Sequence, residues 1–165
     1  MNYFCRQTAF DRPTDIYIQN NTNEDFQLFK IDSQSGVLES RPPQLIRAGQ
    51  SGYFRVDQTG LVGPSGIITY KVILYNMETY VSVYWSHPEG ATSSEYYGYS
   101  SPFGAFYVIP SNNLDKNQKP KNQQVKVKDL ITNEQNIENI LVLNPTGHYQ
   151  SITYTVQYGL AHTVL

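Results

Sequence analysis

Three histidines, one cysteine and a scatter of serines and carboxylates are the side chains of this sequence that could carry acid–base, nucleophilic or metal chemistry. Their spacing supports none of it. His87, His148 and His162 lie far apart and lack the short intervals at which ligands share one metal ion. Ser65 sits in GPSG, but the G-x-S-x-G pattern of a nucleophile elbow is incomplete and no helix follows to hold one. The same missing helix removes the glycine clusters as phosphate-binding loops. Carboxylates fall mostly in turns, with no pair set apart for acid and base roles. Cys5 has no internal partner and reads as a free thiol. The expectation is a protein that is not an enzyme, with no catalytic residue, metal or cofactor.

What the chain concentrates instead is aromatic surface. The stretch VSVYWSHPEGATSSEYYGY, residues 81–99, carries the single tryptophan at the end of an alternating run, then a His-Pro turn, then serine, glycine and tyrosine. Alternation sends Val81, Val83 and Trp85 inward and Tyr84 outward. Beyond the turn, Tyr96, Tyr97, Tyr99, Phe103, Phe106 and Tyr107 are more rings than one turn can bury, so about half are expected in the core. The remainder would form an exposed patch of the kind that marks a binding surface. Rings with an apolar body and a polar tip suit a membrane interface or the face of a sugar. Tyr84, Trp85, His87, Tyr96, Tyr97 and Tyr99 are the candidate contacts, with Trp85 as an interfacial anchor or rim-packing ring.

The elements that must position these residues are strands. DIYIQN, GIITYKVILY, TYVSVYW and SITYTVQY alternate with period two and are rich in β-branched and aromatic residues. Turn signals at 20–25, 33–36, 49–52, 63–66 and 144–147 divide them. DLITNEQNIENI is the nearest approach to an amphipathic helix, and its end, ENILVLN, reads better as a strand. The expected fold is all-β, a single-domain antiparallel β-sandwich over residues 15–165, after an N-terminal segment of residues 1–14. Residues 111–129 are polar and hold five of the twelve Lys and Arg residues, which predicts a solvated insertion built as a long hairpin or loop.

Length and composition bound the rest. The chain has 165 residues, 39% hydrophobic and 16% charged, with 14 tyrosines, which favours one folded domain over a disordered chain. A net charge of −2 offers no basic excess for nucleic acid and no polybasic cluster for anionic lipid. MNYFCRQTAFDRP has no uninterrupted apolar core, so a Sec-type signal is not expected. No apolar run approaches the roughly 20 residues of a membrane-spanning helix.

Several segments in order resemble one family. They are IYIQNNTNEDFQLFKI, RPPQLIRAGQSGYFRV, VGPSGIITYKV, VSVYWSHPEG and HYQSITYTVQY, with the G-x-x-G strand from Gly63 to Tyr70 and the turn of Tyr84, Trp85, Pro88 and Gly90 the most specific. The chain resembles the aegerolysins, and within them the small components of bacterial binary insecticidal crystal toxins, over about residues 15–158 apart from 111–129. The resemblance implies a compact β-sandwich without catalytic activity that recognises membrane lipid, sphingolipid in several members. It also implies a larger perforin-like or crystal-toxin-like partner that makes the pore. Tyr84 and Trp85 match the family's aromatic lipid-facing region. Val62 stands where some lipid-binding members carry an acidic residue, so their lipid class does not carry over, and the Lys-rich insertion lengthens the compact pattern.

The leading expectation is a lipid-binding component of a two-protein pore-forming, insecticidal toxin. It would be secreted or released from intracellular inclusions and would act at a target cell membrane. The rivals are a carbohydrate-binding lectin and a self-associating structural or inclusion protein, the latter helped by edge strands that could pair into a homo-oligomer.

Overall fold

The computed structural model describes residues 12–90 and 93–159, and all its regular structure there is β. The strands are β1 (Thr14–Asn20), β2 (Phe26–Ser35), β3 (Val37–Leu38), β4 (Leu45–Ile46), β5 (Ser51–Asp57), β6 (Ser65–Leu74), β7 (Met77–Ser86), β8 (Glu95–Ser101), β9 (Phe106–Asn112), β10 (Lys121–Lys128), β11 (Gln135–Val142) and β12 (Gln150–Tyr158). They form two five-stranded sheets, ordered β3-β5-β1-β12-β9 and β4-β2-β6-β7-β8, with β10 and β11 as a separate pair. The expected β-sandwich is the fold observed.

Period-two alternation builds the core between the sheets. One sheet contributes Ile16, Ile18, Phe54, Val56, Ile152, Tyr154 and Val156; the other contributes Phe26, Ile68, Tyr70, Val72, Val83 and Trp85, all buried. Buried rings meet across the gap, with Phe54 edge-on to Trp85 at 5.5 Å between centroids. Burying this set supplies the main stabilising term, since each large apolar side chain removed from water is worth about 1.5–3 kcal/mol.

Two features depart from the sequence reading. β1 and β12 pair in parallel, Thr14 opposite Gln150 through Asn20 opposite Val156, within an otherwise antiparallel arrangement. Strand direction leaves no mark on a period-two pattern, and nearly the whole chain serves as the crossover that a parallel pair requires. The polar insertion is also more ordered than a solvated loop. Only its first part, after β9, is a connection. From Lys121 it pairs with β11 in an eight-residue antiparallel ladder. Val125, Val127, Ile140 and Val142 on one face of that hairpin pack onto Ile67, Tyr97 and Tyr99 on the outer face of the second sheet. VKVK is thus an amphipathic strand with its lysines turned to water.

Candidate lipid-facing site

β7 and β8 position the aromatic loop, and their register decides which rings reach solvent. Trp85 pairs with Tyr96 and Tyr84 with Tyr97. Since successive side chains alternate between faces, one pair must enter the core and the other leave it. Trp85 and Tyr96 enter, each with 0% exposure. Trp85 Nε1 has no hydrogen-bond partner, so its contribution is packing. The Tyr96 hydroxyl donates to Gln150 Oε1 and lies 3.1 Å from Thr14 Oγ1. His87 is enclosed at the end of the same polar chain. Its Nε2 is 2.9 Å from the carbonyl of Gly147, which can only accept, so Nε2 carries the proton and Nδ1 accepts from Thr14 Oγ1 at 2.8 Å. Burial pulls the His87 pKa down to about 4, against a smaller upward pull from the Gly147 carbonyl. Tyr99 points outward, but the β10–β11 hairpin covers it and its hydroxyl donates to Lys128 O at 3.2 Å.

The expected surface roles of Trp85, His87, Tyr96 and Tyr99 are therefore corrected: all four are buried, and none presents a ring to a membrane in this structure. The β8 alternation EYYGYSS carried the signal that separates Tyr96 from Tyr97. The cover over Tyr99 could not be read locally, because it comes from Val125, Val127, Ile140 and Val142 of a hairpin distant in sequence. Tyr84 and Tyr97 remain half-exposed and stack at 4.6 Å with 26° between planes. Burial, with Tyr84 close by, raises the Tyr97 hydroxyl pKa, so the phenol stays neutral.

A second aromatic surface was missed by the sequence reading. The β6–β7 hairpin closes through Tyr75 and Asn76, both with positive φ, 52° and 62°. Asn-Gly is the favoured filling of such a turn, and a tyrosine there costs about 1–2 kcal/mol of backbone strain. Around it Tyr75 is 60% exposed and Met77 63%, with Ile73 and Phe29 also exposed. Phe29 lies against Tyr80 at 4.9 Å between ring centroids. Pairing of Tyr80 with Ser101 brings the β8–β9 turn, with exposed Phe103, to this same end. The Leu130 N–H donates to Ser101 Oγ, which adds the β10–β11 turn and exposed Ile131. Next to Phe103 a cleft of about 300 Å³ runs between β8–β9 and the hairpin, lined by Tyr99, Phe106, Tyr107, Val108 and Ile140 among others. The local clue was a strand turn filled by Tyr75 and flanked by Leu74 and Met77, where polar and glycine residues are usual.

A third cluster, Tyr17, Tyr53 and Tyr149 around Asp15 and Arg55, lies on the outer face of the first sheet. Among the described residues no group of His, Cys, Asp and Glu could hold a metal ion, and no helix is long and apolar enough to cross a membrane.

No protein-family model and no curated sequence matches this chain. Among solved structures it is similar to the lipid binding protein Nakanori, with a TM-score of 0.55 over 88% of this chain and 71% of that one, at 13% identity. The likeness is one of fold.

Proposed function

We propose that this chain is a non-enzymatic, membrane lipid-binding protein that meets the bilayer with the β6–β7 end of the sandwich. The observation that carries the reading is that end itself. Tyr75, Met77, Ile73, Phe29 and Phe103 are large, apolar or amphipathic, and exposed together, at the cost of a strained turn. Such an end gains free energy by entering the headgroup boundary without a spanning element. The adjoining cleft is sized for part of a lipid chain. A solved lipid-binding protein with the same fold adds support.

Orientation separates this reading from the one centred on the aromatic loop. Tyr84 lies seven residues along β7 from Met77, about 23 Å at the usual rise of a strand. An interfacial layer is only about 6 Å thick on each side of the hydrocarbon. A protein seated on its β6–β7 end thus holds the Tyr84–Tyr97 stack clear of the headgroups; contact of that pair with a headgroup or glycan belongs to the opposite orientation. The finer proposal, carried by the aegerolysin resemblance, is the lipid-recognising half of a two-protein pore-forming toxin with insecticidal action, acting at the target cell surface on a membrane lipid whose class the flotation series below assigns.

Flotation with vesicles of phosphatidylcholine, cholesterol and graded sphingolipid tests it. Replacing Tyr75-Asn76 by Asn-Gly is expected to raise stability by about 1 kcal/mol while cutting vesicle retention several-fold, because it relaxes the turn and removes the ring. Met77→Ser is expected to weaken retention without the gain in stability. Retention that survives both changes but is lost in Tyr84→Ala with Tyr97→Ala reverses the orientation. No retention on any mixture removes the lipid reading.

A further inference from the structure

The outer face of the first sheet is not used by the lipid reading and has its own chemistry. Outward side chains from β5, β1 and β12 stand in register: Ser51–Gln19–Thr155, Tyr53–Tyr17–Thr153 and Arg55–Asp15–Ser151. The Tyr17 and Tyr53 rings lie 5.0 Å apart, tilted by 40°, and are 36% and 43% exposed. Beneath them the Asp15 carboxylate is buried and fully engaged. Its Oδ1 accepts from the Tyr53 hydroxyl at 2.6 Å and Arg55 Nε at 2.7 Å; its Oδ2 accepts from the Tyr149 hydroxyl at 2.6 Å and Arg55 Nη2 at 3.1 Å. The Arg55 guanidinium also sits 5.9 Å from the centre of the Tyr149 ring. One carboxylate thus fixes two phenol rings and one guanidinium before any ligand arrives.

The arrangement carries no surplus positive charge. Asp15 and Arg55 neutralise each other, the exposed Glu39 adds a carboxylate beside Arg55, and the side chains standing in register with them, Gln19, Ser51, Ser151, Thr153 and Thr155, are uncharged. A phosphate needs surplus positive charge, and a quaternary ammonium is best held in a closed aromatic cage, whereas Tyr17 and Tyr53 form an open pair. What the face offers is an apolar ring platform bordered by hydroxyls and amides, which is the complement of a pyranose: C–H groups for the rings and hydroxyls for the border. An ion pair kept for stability alone would require Asp15 and Arg55 but not the adjacent Tyr17 ring, whose partner on the face is Tyr53.

We infer that this face binds a neutral pyranose saccharide, stacked on Tyr17 and Tyr53 at a site separate from the lipid-contacting end. The sugar could be presented by a neutral glycolipid or by a free polysaccharide, and the chemistry is shared. The inference does not rest on the lipid reading.

The test uses the full chain in two arms: native affinity electrophoresis through soluble β-glucan, mannan and galactan, and flotation with phosphatidylcholine vesicles with or without a neutral glycosylceramide. Retardation in the first arm, or glycosylceramide-dependent retention in the second, is expected and assigns the source. Tyr17→Thr, which keeps a strand-forming residue and leaves the Asp15 network intact, is expected to weaken that binding about five- to tenfold. Tyr53→Phe, which keeps the ring, is expected to weaken it less. Neither change is expected to alter flotation on glycan-free vesicles, which separates this site from the β6–β7 end. Absence of saccharide dependence in both arms overturns the inference, as does saccharide binding that Tyr17→Thr leaves unchanged.

Discussion

At the scale of single residues, the parts of the sequence that look most like a binding motif are bound up with each other. A Cβ added to Gly66 would stand 2.5 Å from Trp85 Cζ2 and 2.7 Å from the carbonyl oxygen of Asp32; one added to Gly63 would stand 2.0 Å from the carbonyl oxygen of His87. The G-x-x-G strand and the Trp-x-x-Pro turn are thus two sides of one packing unit. Gly66→Ala is expected to cost about 2 kcal/mol or more through overpacking, read as a lower urea midpoint with an unchanged slope. His87 gives this unit a pH dependence. Its folded pKa of about 4 lies below the ordinary 6.5, so the unfolded chain binds the proton more readily. Stability is fully present above about pH 6.5 and falls as pH drops toward 4, by up to about 3 kcal/mol. Urea midpoints at pH 7.5 and 5 measure this, and His87→Gln is expected to flatten the part of the slope that the imidazole contributes.

At the scale of elements, the β10–β11 hairpin is attached through a small apolar patch. Val127, Ile140 and Val142 bury themselves on Tyr99 and its neighbours, while Lys121, Lys126 and Lys128 stay exposed. Val127→Asp places an unpaired carboxylate against Tyr99, and the hairpin is expected to detach while the sandwich stays folded. Hydrogen exchange would show this as lost protection confined to residues 121–142, together with new protease sensitivity there. Loss of protection throughout the molecule would mean that the hairpin is integral to the fold. The β6–β7 turn shows the opposite bias: an element that is locally strained yet keeps an exposed tyrosine, the pattern expected where a surface is retained for contact rather than stability.

At the scale of the molecule, a net charge of −2 and an apolar contact end set how a membrane would be met. With no polybasic cluster, binding to zwitterionic vesicles is expected to change less than about twofold between 0.05 and 0.5 M salt, because burial rather than counterion attraction drives it. Flotation at the two ionic strengths checks this. A strong fall with salt would point to an electrostatic surface instead. The two proposed surfaces, the β6–β7 end and the outer face of the first sheet, point in different directions on one rigid sandwich, so lipid and saccharide contacts can be separated by mutation.

The sequence by itself determined the all-β sandwich and most of its core. Ile16, Ile18, Ile68, Tyr70, Val72, Ile152, Tyr154 and Val156 can be assigned from alternation alone, because a strand with one wet face must alternate. Alternation also placed Trp85 inward and Tyr84 outward. Only the tertiary structure decided which rings stay wet. Tyr99 points outward and is covered by a hairpin distant in sequence; His87 opens the turn after β7 and is enclosed by Thr14 and Gly147. Asp15, Arg55 and Tyr149 are brought together by strand pairing across the whole length of the chain. Periodicity reports a residue's own strand face, whereas exposure depends on what the rest of the chain lays over that face.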